Sequence, residues 1–112
     1  GLGGRTDHTF ANIQTLSFIA DNGGRGYLVG NSEVVTVIKN STLPLTARPD
    51  GTVSVFAYGG NAVGVNIKGL LYELSSAELT SSFPIGVSNA FKGEDAEISV
   101  KEGKLLIFFP NV

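Results

Sequence analysis

The chain has 112 residues, a length typical of one domain, and it carries a formal net charge of −2. Its eight Lys and Arg residues are scattered, whereas phosphate backbones are bound by clustered basic residues, so the sequence predicts no nucleic-acid partner. The absence of Cys excludes disulfides, thiol nucleophiles and thiolate metal sites. Charged residues make up 16% of the chain, against roughly 25% in an average globular domain, and the mean hydropathy is +0.19.

The N-terminal segment, Gly1–His8, has too little apolar content to pack, so we expect a flexible arm there. The sequence begins without an initiator Met or a signal peptide, which indicates a processed or excised chain. Strand-like alternation follows over 12–20. An Asp-Asn-Gly-Gly run over 21–24 predicts the turn that ends this strand, because Asn and Gly tolerate positive φ.

The next segments predict short strands separated by turns. Tyr27–Val29 reads as a short strand, and Leu45–Ala47 as a short edge strand. Glu33–Lys39 is β-branched throughout its interior, which is the composition of a strand covered on both faces.

Two central runs alternate in side-chain type and are bounded by turn residues: Thr52–Tyr58 and Val63–Lys68. They predict neighbouring antiparallel strands joined by a Gly-Gly-Asn turn. Val53 and Val55 share one face of the first run, while Phe56 and Tyr58 share the other. Both faces are apolar, so alternation alone does not decide which one is buried.

The remaining segments complete an all-β pattern. Leu70–Leu74 and Ile85–Phe91 read as strands, and Ser75–Phe83 as one or two turns of helix at most. Ala96–Val100 and Leu105–Phe109 predict a C-terminal hairpin.

Eight to ten short strands with turn signals every 8–12 residues or so are typical of a β-sandwich or a small barrel. The predicted fold is therefore all-β, a two-sheet antiparallel β-sandwich of the jelly-roll or Ig-like kind. Its domain organisation is a flexible arm over 1–8 and a single β-sandwich domain over 9–112.

The sequence argues against an enzyme. The single histidine, His8, lies on the predicted arm, where it would lack the positioning that catalysis needs. Two carboxylate pairs, Glu94 with Asp95 and Glu73 with Glu78, read as solvated loop or helix ends. The sequence predicts no catalytic residues, no cofactor and no metal site.

The first functional hypothesis is a structural or assembly subunit of a virion, phage particle, appendage or extracellular filament. A surface with few charges is poorly suited to a solitary protein, and sheet edges without Lys or Pro invite pairing with another chain. We therefore expect a homo-oligomer or contact with neighbouring subunits, at an extracellular or virion-surface location. No apolar run reaches the length of a membrane-spanning helix.

The alternative hypothesis is a carbohydrate-binding accessory module. Rings on an exposed sheet face can stack on sugar rings, and four aromatic residues are candidates for that role: Tyr27, Phe56, Tyr58 and Tyr72. If Phe56 and Tyr58 face the core instead, with the small Val and Ala residues outside, these two rings are not available to a sugar.

Overall fold

The computed structural model describes residues 2–81 and 87–111, with side chains from Ala11 onward except that of Val87. Within these ranges the elements are one helix and eight strands, in the following chain order: α1 (Leu2–Asp21), β1 (Tyr27–Val29), β2 (Glu33–Lys39), β3 (Thr42–Leu45), β4 (Thr52–Lys68), β5 (Leu74–Leu79), β6 (Val87–Ala90), β7 (Ala96–Ser99) and β8 (Glu102–Pro110).

Helix α1 contradicts the strand predicted over 12–20. Leu16, Ser17 and Ala20 are buried, whereas Phe18 is 68% exposed. Burial therefore follows the three- and four-residue spacing of a helix, not the alternation of a strand. The division into an arm and one domain stays a prediction, with helical backbone from Leu2. Among the described residues, no helix is both long and apolar enough to cross a membrane.

The predicted turn over 21–24 exists, but it ends the helix. Gly23 has a φ of +82°, which favours glycine. Its N–H donates to the carbonyl of Ala20 at 3.1 Å, and the N–H of Gly24 donates to that of Ile19 at 2.9 Å. These two bonds form a Schellman motif, which pairs the last helical carbonyls with the chain itself.

Strands β1 and β2 have the bounds predicted from the sequence, and every interior residue of β2 is buried. Strand β3 begins three residues before the predicted edge strand and ends at Leu45. The segment predicted as a helix over 75–83 forms β5 up to Leu79, and residues 82 and 83 lie outside the described residues. Of the strand predicted at Leu70–Leu74, Leu74 is the first residue of β5 and Leu70 forms an isolated bridge, whereas residues 71–73 belong to a connection. Strand β6 lies within the strand predicted over 85–91.

The two predicted central strands form one continuous strand, β4, of 17 residues. Its Gly-Gly-Asn segment bends the strand without ending it: Gly59 and Gly60 have φ of +71° and +145°. The register with β8 shifts across this bend, between Tyr58 and Val63. A glycine pair can therefore bend a strand as well as close a hairpin, and here the neighbouring strand selects the bend.

Strands β7 and β8 do not form the predicted hairpin, because they follow one another along the same edge of β4. Val63 pairs with Glu102, and three residues further along β4, Asn66 pairs with Ser99. The register is therefore continuous past the break between β7 and β8. Strands β2 and β3 follow β8 and β7 in the same way.

These long bent strands form one curled sheet, a half-barrel, which contradicts the predicted two-sheet sandwich. Six strands lie in the order β1-β2-β8-β4-β7-β3, and β5 and β6 pair with the other edge of β4. The strands pass from one half of the curl to the other through bends, so hydrogen bonding does not stop between two separate layers. An isolated bridge between Leu70 and Phe91 links the end of β4 to the end of β6.

The apolar residues fill two cores on opposite faces of this sheet. The inner core lies within the curl and includes Val53 and Val55, both fully buried. The outer core lies between α1 and the sheet and is formed by Leu16, Ala20, Val35 and Val37. The low charge of the chain is thus explained by two buried apolar layers, and α1 provides the second cover that the composition of β2 predicts.

Candidate functional site

The connection between β4 and β5, Gly69–Glu73, is fixed by close backbone packing at its first residue. Gly69 has a φ of +81°, and a Cβ there would overlap the carbonyl oxygen of Asp95 and lie 2.8 Å from the Cα of Ala96. Its N–H donates to the Glu73 carboxylate at 2.9 Å. Because the position accepts no side chain, the turn lies directly against the start of β7.

The buried amide of Asn89 fixes the middle of the same turn. Asn89 is 3% exposed. Its Oδ1 accepts from the N–H of Tyr72 at 2.8 Å, and its Nδ2 donates to the carbonyl of Tyr72. The N–H of Leu71 donates to the carbonyl of Ala90 at 2.9 Å. A buried side-chain amide thus replaces strand pairing at this point and satisfies the backbone groups of the turn.

The side chains of the turn point outward from this fixed backbone. Leu71 is 53% exposed and Tyr72 is 63% exposed. A large apolar side chain and an aromatic ring on a rigid turn can contact a ligand at little entropic cost, because the backbone is already ordered.

An open cleft of about 390 Å³ lies beside this turn, and we refer to it as the acidic cleft. One wall comes from the end of β4 and the start of β5, and the other from residues 94–97. Four carboxylates and one ammonium group line it: Glu73, Glu94, Asp95, Glu97 and Lys68. The excess of negative charge suits a small organic cation.

A second depression of about 410 Å³ shares Asp95, Ala96 and Glu97 with the first and is closed by Pro44, Leu45 and Thr46. Asp95 is held between the two, because its Oδ1 accepts from the N–H of Ala47 at 2.8 Å. The acidic surface therefore extends from the β4–β5 turn to the edge strand β3. Among the residues that the structure describes, no three or more His, Cys, Asp or Glu side chains lie close enough together to hold a metal ion.

The four aromatic residues predicted as ligand-binding residues are distributed over different parts of the sheet. Tyr27 lies on β1 and is 48% exposed, and Tyr72 lies on the β4–β5 turn. Phe56 is half-buried, with its ring 5.9 Å from that of Phe108 in an edge-to-face contact. Tyr58 is half-buried under the Lys104 ammonium, 5.8 Å from its ring centroid. Of these four, Tyr72 is the one on the turn that borders the cleft.

The acidic residues of the cleft were predicted from the sequence as two separate pairs. Glu73 was paired with Glu78, which lies on β5 outside the cleft, and Glu94 was paired with Asp95. Gly69 and Asn89 were not predicted to be functional residues. No local pattern marks these two residues, because their roles depend on Asp95 and Tyr72, which are distant in the sequence.

The curled sheet is shared with a family of enzyme domains. A family model described as "thiamin pyrophosphokinase, vitamin B1 binding domain" matches residues 40–105. The match covers more than half of the chain, so the chain belongs to this family. A comparison with curated protein sequences found no match.

Solved structures of thiamin pyrophosphokinases share the fold. The enzyme from Bacillus subtilis is 16% identical with a TM-score of 0.83, and the alignment covers 94% of this chain and 50% of that one. The enzyme from Geobacillus thermodenitrificans is 21% identical with a TM-score of 0.82, and the alignment covers 96% of this chain and 49% of that one. The enzyme from Candida albicans is 14% identical with a TM-score of 0.79, and the alignment covers 99% of this chain and 42% of that one. The chain therefore spans about half the length of these structures, and at such identities the likeness shows the fold alone.

The family assignment contradicts the functional predictions made from the sequence. The chain belongs to a family of enzymes, so the prediction of a non-enzymatic virion or filament subunit is wrong, as is its alternative, a carbohydrate-binding module. The extracellular or virion-surface location is contradicted with it, because the family consists of kinases rather than coat proteins. The assembly hypothesis depended on the low charge and high mean hydropathy of the chain, and two buried cores account for that composition.

Proposed function

We propose that this chain is the thiamin-binding part of a thiamin pyrophosphokinase, and that transfer of pyrophosphate to thiamin is the activity of a complete enzyme. The observation that carries the proposal is that every residue lining the acidic cleft, from Ile67 to Glu97, falls within the range matched by the family model. The half-length coverage of the solved enzymes supports assigning binding, and not the whole reaction, to this chain.

The chemistry of the cleft suits the charge of the vitamin. Thiamin carries a permanently positive thiazolium ring joined to an aminopyrimidine. Four carboxylates against one ammonium group favour such a cation at the cleft. Tyr72 does not line the cleft but lies on the turn that borders it, and its exposed ring is available to a cationic heterocycle, which aromatic rings bind face-on.

The proposal is tested by titrating the ¹⁵N-labelled chain with thiamin and with thiochrome, its uncharged tricyclic oxidation product. We expect thiamin to shift the backbone resonances of Gly69, Glu73 and Ala96, and thiochrome to bind more weakly. Glu73→Gln and Asp95→Asn should each weaken thiamin binding about two- to fivefold, the usual range for exposed ion pairs.

Glu78→Gln is the matched control, because it removes the same charge from an exposed position on β5 outside the cleft. Equal losses in all three variants would indicate an effect of net charge alone and would contradict the proposal. A thiamin titration that leaves the cleft resonances unshifted would contradict it as well.

A further inference from the structure

Another cleft, opposite in charge to the acidic cleft, lies where helix α1 ends beside the connection from β2 to β3. It has a volume of about 290 Å³ and is lined by Ala20, Gly23, Gly24, Arg25, Lys39 and Ser41. We refer to it as the basic cleft. Among the side chains that the structure describes, the charged groups lining it are two cations, the guanidinium of Arg25 and the ammonium of Lys39.

The guanidinium of Arg25 is oriented by one hydrogen bond, which leaves further N–H donors for a ligand. Its Nη2 donates to Oγ of Ser41 at 2.9 Å in a partly buried contact. A guanidinium has five N–H donors, and Arg25 has no carboxylate partner among the side chains that the structure describes. A guanidinium that lines a cleft and is positioned by a hydroxyl is suited to binding an oxyanion through its remaining donors.

The surrounding charge also favours an anion. Lys39 and Lys104 share a single carboxylate, that of Asp21, at 3.4 and 3.2 Å. Arg25 lines the same cleft as Lys39, so basic side chains outnumber the acidic one at this end of helix α1, in a protein whose net charge is −2. A local excess of positive charge raises the local concentration of anions.

These cations could instead serve the negative end of helix α1, but the helix carbonyls already have partners. The carbonyls of Ile19 and Ala20 accept from Gly24 and Gly23, and that of Phe18 accepts from the Asn22 side chain at 2.8 Å. Arg25 and Lys39 donate to the side chains of Ser41 and Asp21, not to these carbonyls. Helix capping therefore does not account for the two cations.

We propose that the basic cleft binds a phosphate-type oxyanion, held by Arg25 and Lys39 with Ser41 orienting the guanidinium. A tetrahedral oxyanion can accept hydrogen bonds from two directions at once, which fits a guanidinium and an ammonium that line the same cleft. The volume accommodates a phosphate or a pyrophosphate group. This site shares no lining residue with the acidic cleft, and the proposal does not depend on thiamin binding.

The proposal is tested by titrating the ¹⁵N-labelled chain with inorganic phosphate, pyrophosphate and adenosine monophosphate at constant ionic strength. We expect saturable shifts of the Gly23, Gly24 and Ser41 amides. Arg25→Gln should weaken binding by about tenfold, as expected for the loss of a charged hydrogen bond. The tightest of the three ligands identifies the source of the anion, free or attached to an organic group.

Lys92→Gln is the matched control, because it removes one positive charge from an exposed position outside the basic cleft. Ser41→Ala keeps every charge and should still weaken binding, which separates an oriented site from diffuse attraction. The proposal is overturned if none of the three anions gives saturable shifts, or if Lys92→Gln weakens binding as much as Arg25→Gln. If Arg25→Gln does not fold, Ser41→Ala is compared with Lys92→Gln instead, and equal binding losses in these two variants overturn the proposal.

Discussion

The acidic cleft and the basic cleft differ in how their surroundings are fixed. The turn beside the acidic cleft is fixed by the close packing of Gly69 on Asp95 and by the buried amide of Asn89. The basic cleft has no such close approach at Gly23, and its charge comes from the side chains of Arg25 and Lys39. Charge should therefore matter for ligand binding at both clefts, but a change of backbone packing should disturb the acidic cleft much more than the basic one.

Alanine at a glycine of each cleft should give the largest contrast. Gly69 and Gly23 have nearly the same φ, +81° and +82°, but a Cβ at Gly69 meets backbone, whereas one at Gly23 meets nothing within 4 Å. We expect Gly69→Ala to lower the free energy of unfolding by about 4 kcal/mol, from strain and overpacking together. Gly23→Ala should cost about 1 kcal/mol, from the positive φ alone.

Urea unfolding followed by far-ultraviolet circular dichroism measures both values. Equal losses for the two alanine variants would mean that the packing of Gly69 on Asp95 does not constrain the turn.

The buried amide of Asn89 should give the next largest effect. Asn89→Ala leaves the N–H and carbonyl of Tyr72 without their side-chain partner, and we expect a loss of about 2 to 3 kcal/mol in the free energy of unfolding. Ser88→Ala, at the exposed neighbouring position on β6, is the control and should change stability by less than about 0.5 kcal/mol. Denaturant titration that finds the two variants alike would refute the bracing role of the amide.

The smallest effect should come from the charge cluster beside the basic cleft. The hydrogen bond from Lys104, followed by that from Lys39, holds the pKa of Asp21 below its ordinary value of 3.8. A lowered folded-state pKa contributes stability that is present above the ordinary value and is lost as pH falls through the folded value.

Asp21→Asn should therefore be slightly less stable than the parent chain at neutral pH, and the difference should vanish in strong acid and shrink in high salt. Thermal unfolding over a pH series measures this difference. A difference that persists unchanged below the folded pKa would contradict the ion-pair explanation.

Local patterns predicted the strands whose composition leaves little choice. The β-branched interior of β2 can hardly form anything but a buried strand, and its bounds were predicted correctly. The N-terminal segment was ambiguous, since Leu16, Phe18 and Ala20 alternate while Leu16 and Ala20 also have helical spacing. Only the packing of the segment on the outer face of β2 decides between the two, and that contact is distant in sequence.

The bends of the sheet and the acidic cleft were beyond local reasoning for the same cause. Gly59-Gly60 is compatible with a hairpin or a bend, and the continuous register of β7 and β8 along β4 selects the bend. Glu73 and Glu94 meet in one cleft because β4, β5 and β7 converge there. The family itself was recognised from a match over residues 40–105, not from any short motif.

The pairing of β2 with β8 has a consequence for the synthesis of this protein. Glu33 pairs with Pro110, so the most β-branched strand of the chain finds its principal partner only near the end of the sequence. A ribosome makes β2 early and β8 late, and among the described strands the three-residue β1 is the other partner of β2. During that interval an uncharged Val-Val-Thr-Val-Ile segment remains open to pairing with other nascent chains. Helix α1, made still earlier, packs on Val35 and Val37 and can shield one face of β2 until β8 emerges.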